Sequence, residues 1–108
     1  MNDQARAWLI AAELSGHPKQ RKVMHGTVGD CALGVIHLGI HKGNRSAALK
    51  CVSLRNGWMP TCLAGYVDVS FRTPYLCSEC GSSYSEATYI AHLFDVHELD
   101  YLTIARKL

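Results

Sequence analysis

Four side chains within 21 residues constrain this chain more than anything else in it: Cys77, Cys80, His92 and His97, spaced C-x2-C-x11-H-x4-H. Zinc takes thiolates and imidazoles at the corners of a tetrahedron, and ligand pairs spaced in this way can reach one ion. A C-x2-C turn aims both sulfurs the same way. Histidines at 92 and 97 lie between one and one and a half turns apart on a helix, so both can face inward. The four are candidate metal ligands, and the ion they imply is a structural Zn2+. Four protein donors fill the shell and leave no position for a reacting water.

The flanking residues fit a small unit built around that ion. Tyr75-Leu76 is a short β-prone pair, Gly81 follows the second cysteine, and Ser82-Ser83 close a turn. Tyr84 and Ile90 stand where a hairpin and a helix need an aromatic and an aliphatic between them. A helix is expected to start near Ser85, with Glu86 in its first turn complementing the positive end of the dipole. With these features residues 75–97 resemble a C2H2 zinc finger, which implies a ββα unit. The family commonly has x12 where this chain has x11. That shifts the helix phase at Ile90 and predicts an irregular small core.

A length of 108 residues fits one domain, or one small domain carrying a metal-stapled appendage. No apolar run approaches the roughly 18 residues of a membrane span, and the pattern of a signal peptide is missing. Five cysteines are an odd number; with two assigned to metal, Cys31, Cys51 and Cys62 form no pairing pattern. That suits a reducing cytoplasm better than a disulfide scaffold.

Residues 3–15 read as a helix capped by Asn2 or Asp3, with Trp8, Leu9, Ala11 and Ala12 on its apolar side and Ser15-Gly16 as its stop. The loop after it carries Lys19, Arg21 and Lys22, most simply read as solvated. A second helix is expected from Cys31 to about Lys42, capped by Asp30 and ended by Gly43-Asn44. Apolar residues cover more than half of its circumference, so it should be the buried centre. His37 and His41 fall on the remaining stripe and read as solvent-facing, although their i, i+4 spacing could offer two metal ligands. Cys31 sits in the first turn, where a helix dipole activates a thiol. A cysteine hydrolase using Cys31 with His17 or His25 is therefore one alternative; a buried structural cysteine is the other.

The middle is less defined. Residues 47–54 fit helix or strand equally. Asn56-Gly57 is a hairpin signal that predicts strands near 49–55 and 58–63. Residues 66–71 alternate apolar and polar, as a half-buried strand would. Thr73-Pro74 marks a boundary, giving a small α+β domain over 1–72 and a finger with a terminal helix over 73–108. Asp100 can cap that last helix, whose Tyr101, Ile104, Ala105 and Leu108 share one face. This face would dock on the chain's own core or form a homodimer. The expected fold class is α+β: a small helical and β-hairpin N-terminal part, a C-terminal ββα finger, and a terminal helix.

A second resemblance lies in the N-terminal part. Trp8, the Leu14-Ser15-Gly16 helix end, Gln20, and Gly29-x-Cys31-x-Leu33-Gly34-Val35 are similar to a pattern in small uncharacterised phage and prophage proteins. It covers residues 8–35 and implies a phage accessory protein rather than a reaction.

Charge bears on the partner. Residues 1–72 carry nine Lys/Arg against four Asp/Glu, and residues 73–108 carry two against five. Phosphate contacts from Lys and Arg supply much of the affinity of a DNA-reading finger, and this finger has no Lys or Arg before Arg106. Its base-reading positions would be Ser85, Thr88 and Ala91, and alanine offers no bidentate contact. The expected function is a non-enzymatic, zinc-stabilised protein that binds a host or phage protein. The alternative is a nucleic-acid-associated regulator using Lys19, Arg21, Lys22, Lys42, Arg45, Lys50 and Arg55.

Overall fold

The first helix, α1 (Asp3–Leu14), begins where the Asn2 side chain accepts the Ala5 N–H and ends where the Ser15 N–H bonds to Ala11 O. Ala5, Leu9 and Ala12 form its buried stripe. The computed structural model describes residues 1–53, 60–70 and 72–108, and the side chains of 52 and 53 are outside the description.

The second helix, α2 (Ala32–Ile40), is the centre of the molecule, with every residue from Ala32 to His37 buried. It touches α1, the helix α3 (Arg45–Ser53), a short 3-10 turn (Thr61–Gly65) and the later helix α4 (Glu86–Asp95). Two glycines permit the close approaches. A Cβ on Gly34 would lie 1.8 Å from the Met24 carbonyl oxygen, and one on Gly39 would lie 2.3 Å from the Trp8 indole. The N-cap is Cys31 and not Asp30: the Cys31 sulfur accepts the Gly34 N–H at 3.4 Å. Asp30 is instead turned inward and holds other side chains.

Three expected strands are corrected. Residues 49–53 belong to α3, and the Asn56-Gly57 turn lies outside the described residues. Where a strand over 58–63 was expected, Pro60 is fully buried and leads into the 3-10 turn. Residues 66–70 are not a strand either. Tyr66 and Val67 donate to Leu63 O, and Asp68 joins the start of α4 by donating to Glu86 Oε1 and accepting the Ala87 N–H. These backbone groups are satisfied by a turn and a helix end, so alternation there had no neighbouring strand to serve.

The C-terminal part follows the expected order. Strands β1 (Tyr75–Leu76) and β2 (Ser83–Tyr84) pair antiparallel, Tyr75 opposite Tyr84 and Leu76 opposite Ser83. Gly81 takes φ +74 in the turn between them, a conformation that suits glycine. Ser85 caps α4 by accepting the Thr88 N–H, and Asp100 caps α5 (Tyr101–Lys107) by accepting the Thr103 N–H. The apolar face of α5 (Tyr101, Ile104 and Ala105) docks on the chain's own α1.

One core runs through these elements, and residues on both sides of Thr73 contribute to it. Leu9, Leu33, Ile36, Ile90, Phe94 and Ile104 are all fully buried. Each such side chain contributes about 1.5–3 kcal/mol relative to exposure. Among the described residues the architecture is α+β, helices with one short hairpin lying beside a cluster of metal donors.

Candidate metal centre

Hairpin and helix bring Cys77, Cys80, His92 and His97 together, one donor atom from each lying within 4.8 Å of the others. Cys77 follows β1 directly, and its N–H bonds to Ser82 O across the turn while its carbonyl accepts the Gly81 N–H. This turn aims both sulfurs at α4. His92 projects from the last turn of α4, which ends at Asp95. His97 lies beyond the helix, its N–H reaching back 3.4 Å to His92 O. The H-x4-H spacing is met by stopping the helix at Asp95, so that the chain turns back and His97 reaches the same site.

The distances suit a tetrahedral ion. With Zn–S near 2.3 Å and Zn–N near 2.0–2.1 Å, a sulfur and a nitrogen stand about 3.5 Å apart and two nitrogens about 3.3 Å. Here Cys77 Sγ lies 3.4 Å from His97 Nε2, and Cys80 Sγ lies 3.4 Å from His92 Nε2 and 3.5 Å from His97 Nε2. The two Nε2 atoms are 3.0 Å apart. Both histidines therefore present Nε2. His97 Nδ1 is 3.0 Å from Glu79 Oε2, so a carboxylate within the C-x2-C turn orients the ring from behind. Tyr84 stacks on the His92 ring at 4.5 Å.

Burial pushes the Cys77 thiol up, but the N–H groups of Cys80 and Glu79 and the rings of His92 and His97 outweigh it and bring it down to about 6. Cys80 is raised by burial and by the Cys77 sulfur beside it. One thiolate is thus favoured at neutral pH, a form suited to binding a cation. Cys31 is the opposite case. Burial pushes its thiol up to about 12, and it is spent on capping α2, so the activation expected from its place in a first turn is overturned.

The expectation for His37 is also corrected, while His41 is half-buried. His37 is fully buried rather than solvent-facing. With His41, Cys51 and Cys62 it forms a second donor cluster, again with one donor atom per residue within 4.8 Å of the others. The signal available in the sequence was the i, i+4 histidine pair plus two unassigned cysteines. It was weak because Cys51 and Cys62 lie on other elements. His17 and His25, the candidate partners of Cys31, pair instead with Asp30, at 2.6 Å and 3.0 Å.

Several basic residues of the N-terminal half are engaged in contacts within the chain. Arg21 donates to Phe94 O at 2.6 Å and Leu99 O at 2.9 Å, and its guanidinium lies 3.9 Å above the Phe94 ring. Arg45 forks onto both oxygens of Asp30 at 2.9 Å and 2.8 Å. Lys19 pairs with Glu13 at 2.8 Å and lies over the Tyr101 ring. Arg55 lies outside the described residues. No helix among the described residues is long and apolar enough to cross a membrane.

Compared with protein families, curated proteins and solved structures, the chain matches none of them. Its zinc-binding character rests on the donors themselves: His/Cys clusters of the kind that hold a structural Zn2+.

Proposed function

We propose that this is a phage-encoded, non-enzymatic binding protein that uses a C2H2-type zinc site to hold a docking surface for a host or phage protein. The observation that carries the reading is the complete donor set of Cys77, Cys80, His92 and His97. With all four corners taken by protein, the ion stabilises the fold and has no site left for a substrate. Its binding free energy is folding free energy. A reducing compartment such as the cytoplasm suits this chemistry, because these thiols must stay reduced to hold the ion.

The docking surface is the groove beside this site, about 430 Å³, lined by the Cys77–Glu79 turn, Tyr89, Leu93, Leu99 and the basic pair Arg106 and Lys107. An apolar floor with a cationic rim suits an acidic, partly apolar segment of a partner protein. Leu76 and Val96, each one residue before a donor, remain 64% and 59% exposed. A protein partner is favoured over nucleic acid because three of the basic residues a nucleic acid would use, Arg21, Arg45 and Lys19, are engaged in contacts within the chain. Ser85, a base-reading position of a DNA-binding finger, is buried as a helix cap.

The phage-like pattern fits an accessory protein in a specific way: its residues build the frame. Trp8 covers Gly39, Gln20 Oε1 accepts the N–H groups of Val28 and Gly29, Cys31 caps α2, and Leu33 is fully buried.

The test is capture from host lysate with the zinc-loaded protein, repeated with Arg106→Glu and Lys107→Glu. The expected result is a stoichiometric protein partner that the charge-reversed variant loses while keeping its zinc. Retention by the variant would move the surface elsewhere; capture only of nucleic acid, weakening steeply with salt, would favour the regulator.

A further inference from the structure

The second cluster stands apart from the finger. His37 and His41 come from α2, Cys51 from α3, and Cys62 from the 3-10 turn. In a zinc tetrahedron two sulfurs stand about 3.8 Å apart. Cys51 Sγ and Cys62 Sγ are 3.8 Å apart, and Cys62 Sγ is 3.9 Å from His41 Nε2. Two thiols and two imidazoles form a donor set of the kind that structural zinc takes.

An independent observation points to the same ion. His37 Nε2 is buried and has no hydrogen-bond partner among the described residues. The other face of the ring explains its state. His37 Nδ1 lies 2.8 Å from His25 Nε2, and His25 Nδ1 lies 3.0 Å from Asp30 Oδ1. Asp30 is fully buried and its charge is already met by the Arg45 fork. A neutral His25 then donates from Nδ1 to the carboxylate and offers the lone pair of Nε2. His37 must donate to that lone pair from Nδ1, which leaves its own Nε2 as a bare acceptor. A buried acceptor without a partner is destabilising, since it has lost its water and gained nothing in return. A cation among the four donors removes that cost.

We propose that His37, His41, Cys51 and Cys62 hold a second structural zinc, and that an Asp30–His25–His37 hydrogen-bond chain presets the His37 nitrogen that binds it. His25 and Asp30 are positioning residues, acting through His37. The ion fastens α3, whose only buried residue among those described is Ala48, to the central helix. It also ties Cys51 to Cys62 across the chain between them. This site is independent of the finger, so it stands or falls separately from the function proposed above.

The test is metal analysis of the full chain, with chelator competition and His NMR. The wild type is expected to carry two zinc ions, Cys51→Ser/Cys62→Ser one, and Cys77→Ser/Cys80→Ser one. His25→Ala should lower the affinity of one ion by about 10–100-fold and leave the other unchanged. His25→Gln, whose carbonyl can accept from His37 Nδ1, should recover most of that loss. Where a cysteine variant does not fold, the His25 pair and the wild-type count decide. A wild type with one zinc, lost with Cys77 and Cys80, would overturn the site. Unchanged affinities in His25→Ala, or a proton on His37 Nε2 in the zinc-loaded protein, would overturn the hydrogen-bond chain.

Discussion

Asp30 is a carboxylate with no exposure to water, and its neighbours are what make that affordable. Burial pushes its pKa up, but Arg45, His17 and His25 outweigh burial and hold it well below the ordinary carboxylate range. Its backbone carbonyl also accepts the Tyr101 hydroxyl at 2.6 Å. A depressed folded pKa contributes stability that is complete above the unfolded value, 3.8, and is lost as pH falls below it. Asp30→Asn should therefore cost about 3–5 kcal/mol at neutral pH, the range for breaking a buried ion pair. In urea melts the gap between the two proteins should stay constant down to about pH 5 and shrink below pH 4. At this scale legibility depended on sequence distance. The donors at 77, 80, 92 and 97 were readable because each pair sits in one local turn. Asp30 read as a cap and His37 as a surface residue because their partners (Arg45, His17, Cys51 and Cys62) lie on other elements, which no local spacing reveals.

Helices were legible where cap and apolar stripe agreed, as in α1, α4 and α5. The strands expected in the middle failed because Asn-Gly and alternation report only local preference. In α3 that preference is weak, and contact with α2 together with the Arg45–Asp30 fork decides the outcome. Gly39 shows how tightly α1 and α2 meet. Gly39→Ala would place a methyl 2.3 Å from the Trp8 ring. The ring must move, so a loss of about 1–3 kcal/mol is expected, the range for overpacking. In a Trp58→Phe background, Trp8 emission should shift to the red, as the displaced indole meets water. Arg21 acts on another element boundary by binding the carbonyls of Phe94 and Leu99 where α4 ends. Arg21→Ala should lower stability by about 1.5–3 kcal/mol, the range for hydrogen bonds to a charged group, measurable by thermal melting. Lysine should not substitute fully, since it lacks the planar fork and the stack on Phe94.

Taken as a whole, the molecule has a core that does not respect the composition shift near residue 72. Phe94 stacks on Tyr101, and α4 meets α2 as α5 meets α1. The Cys77, Cys80, His92 and His97 site is therefore coupled to the entire core. Removing its ion alone, by His92→Ala, should lower the melting temperature of both halves together. On heating that variant, an amide spectrum should lose dispersion before and after residue 73 in one transition; an earlier, selective loss over 75–108 would mean the halves are energetically separate. Acid should act in the same direction, because protons compete with zinc for thiolates and imidazoles.

The clasp made by Gln20, Gly29, Gly34 and Cys31 has one more implication. All four are occupied in shaping backbone, and none lines the groove beside the finger. Side chains of the groove can therefore be exchanged without disturbing the frame that carries them.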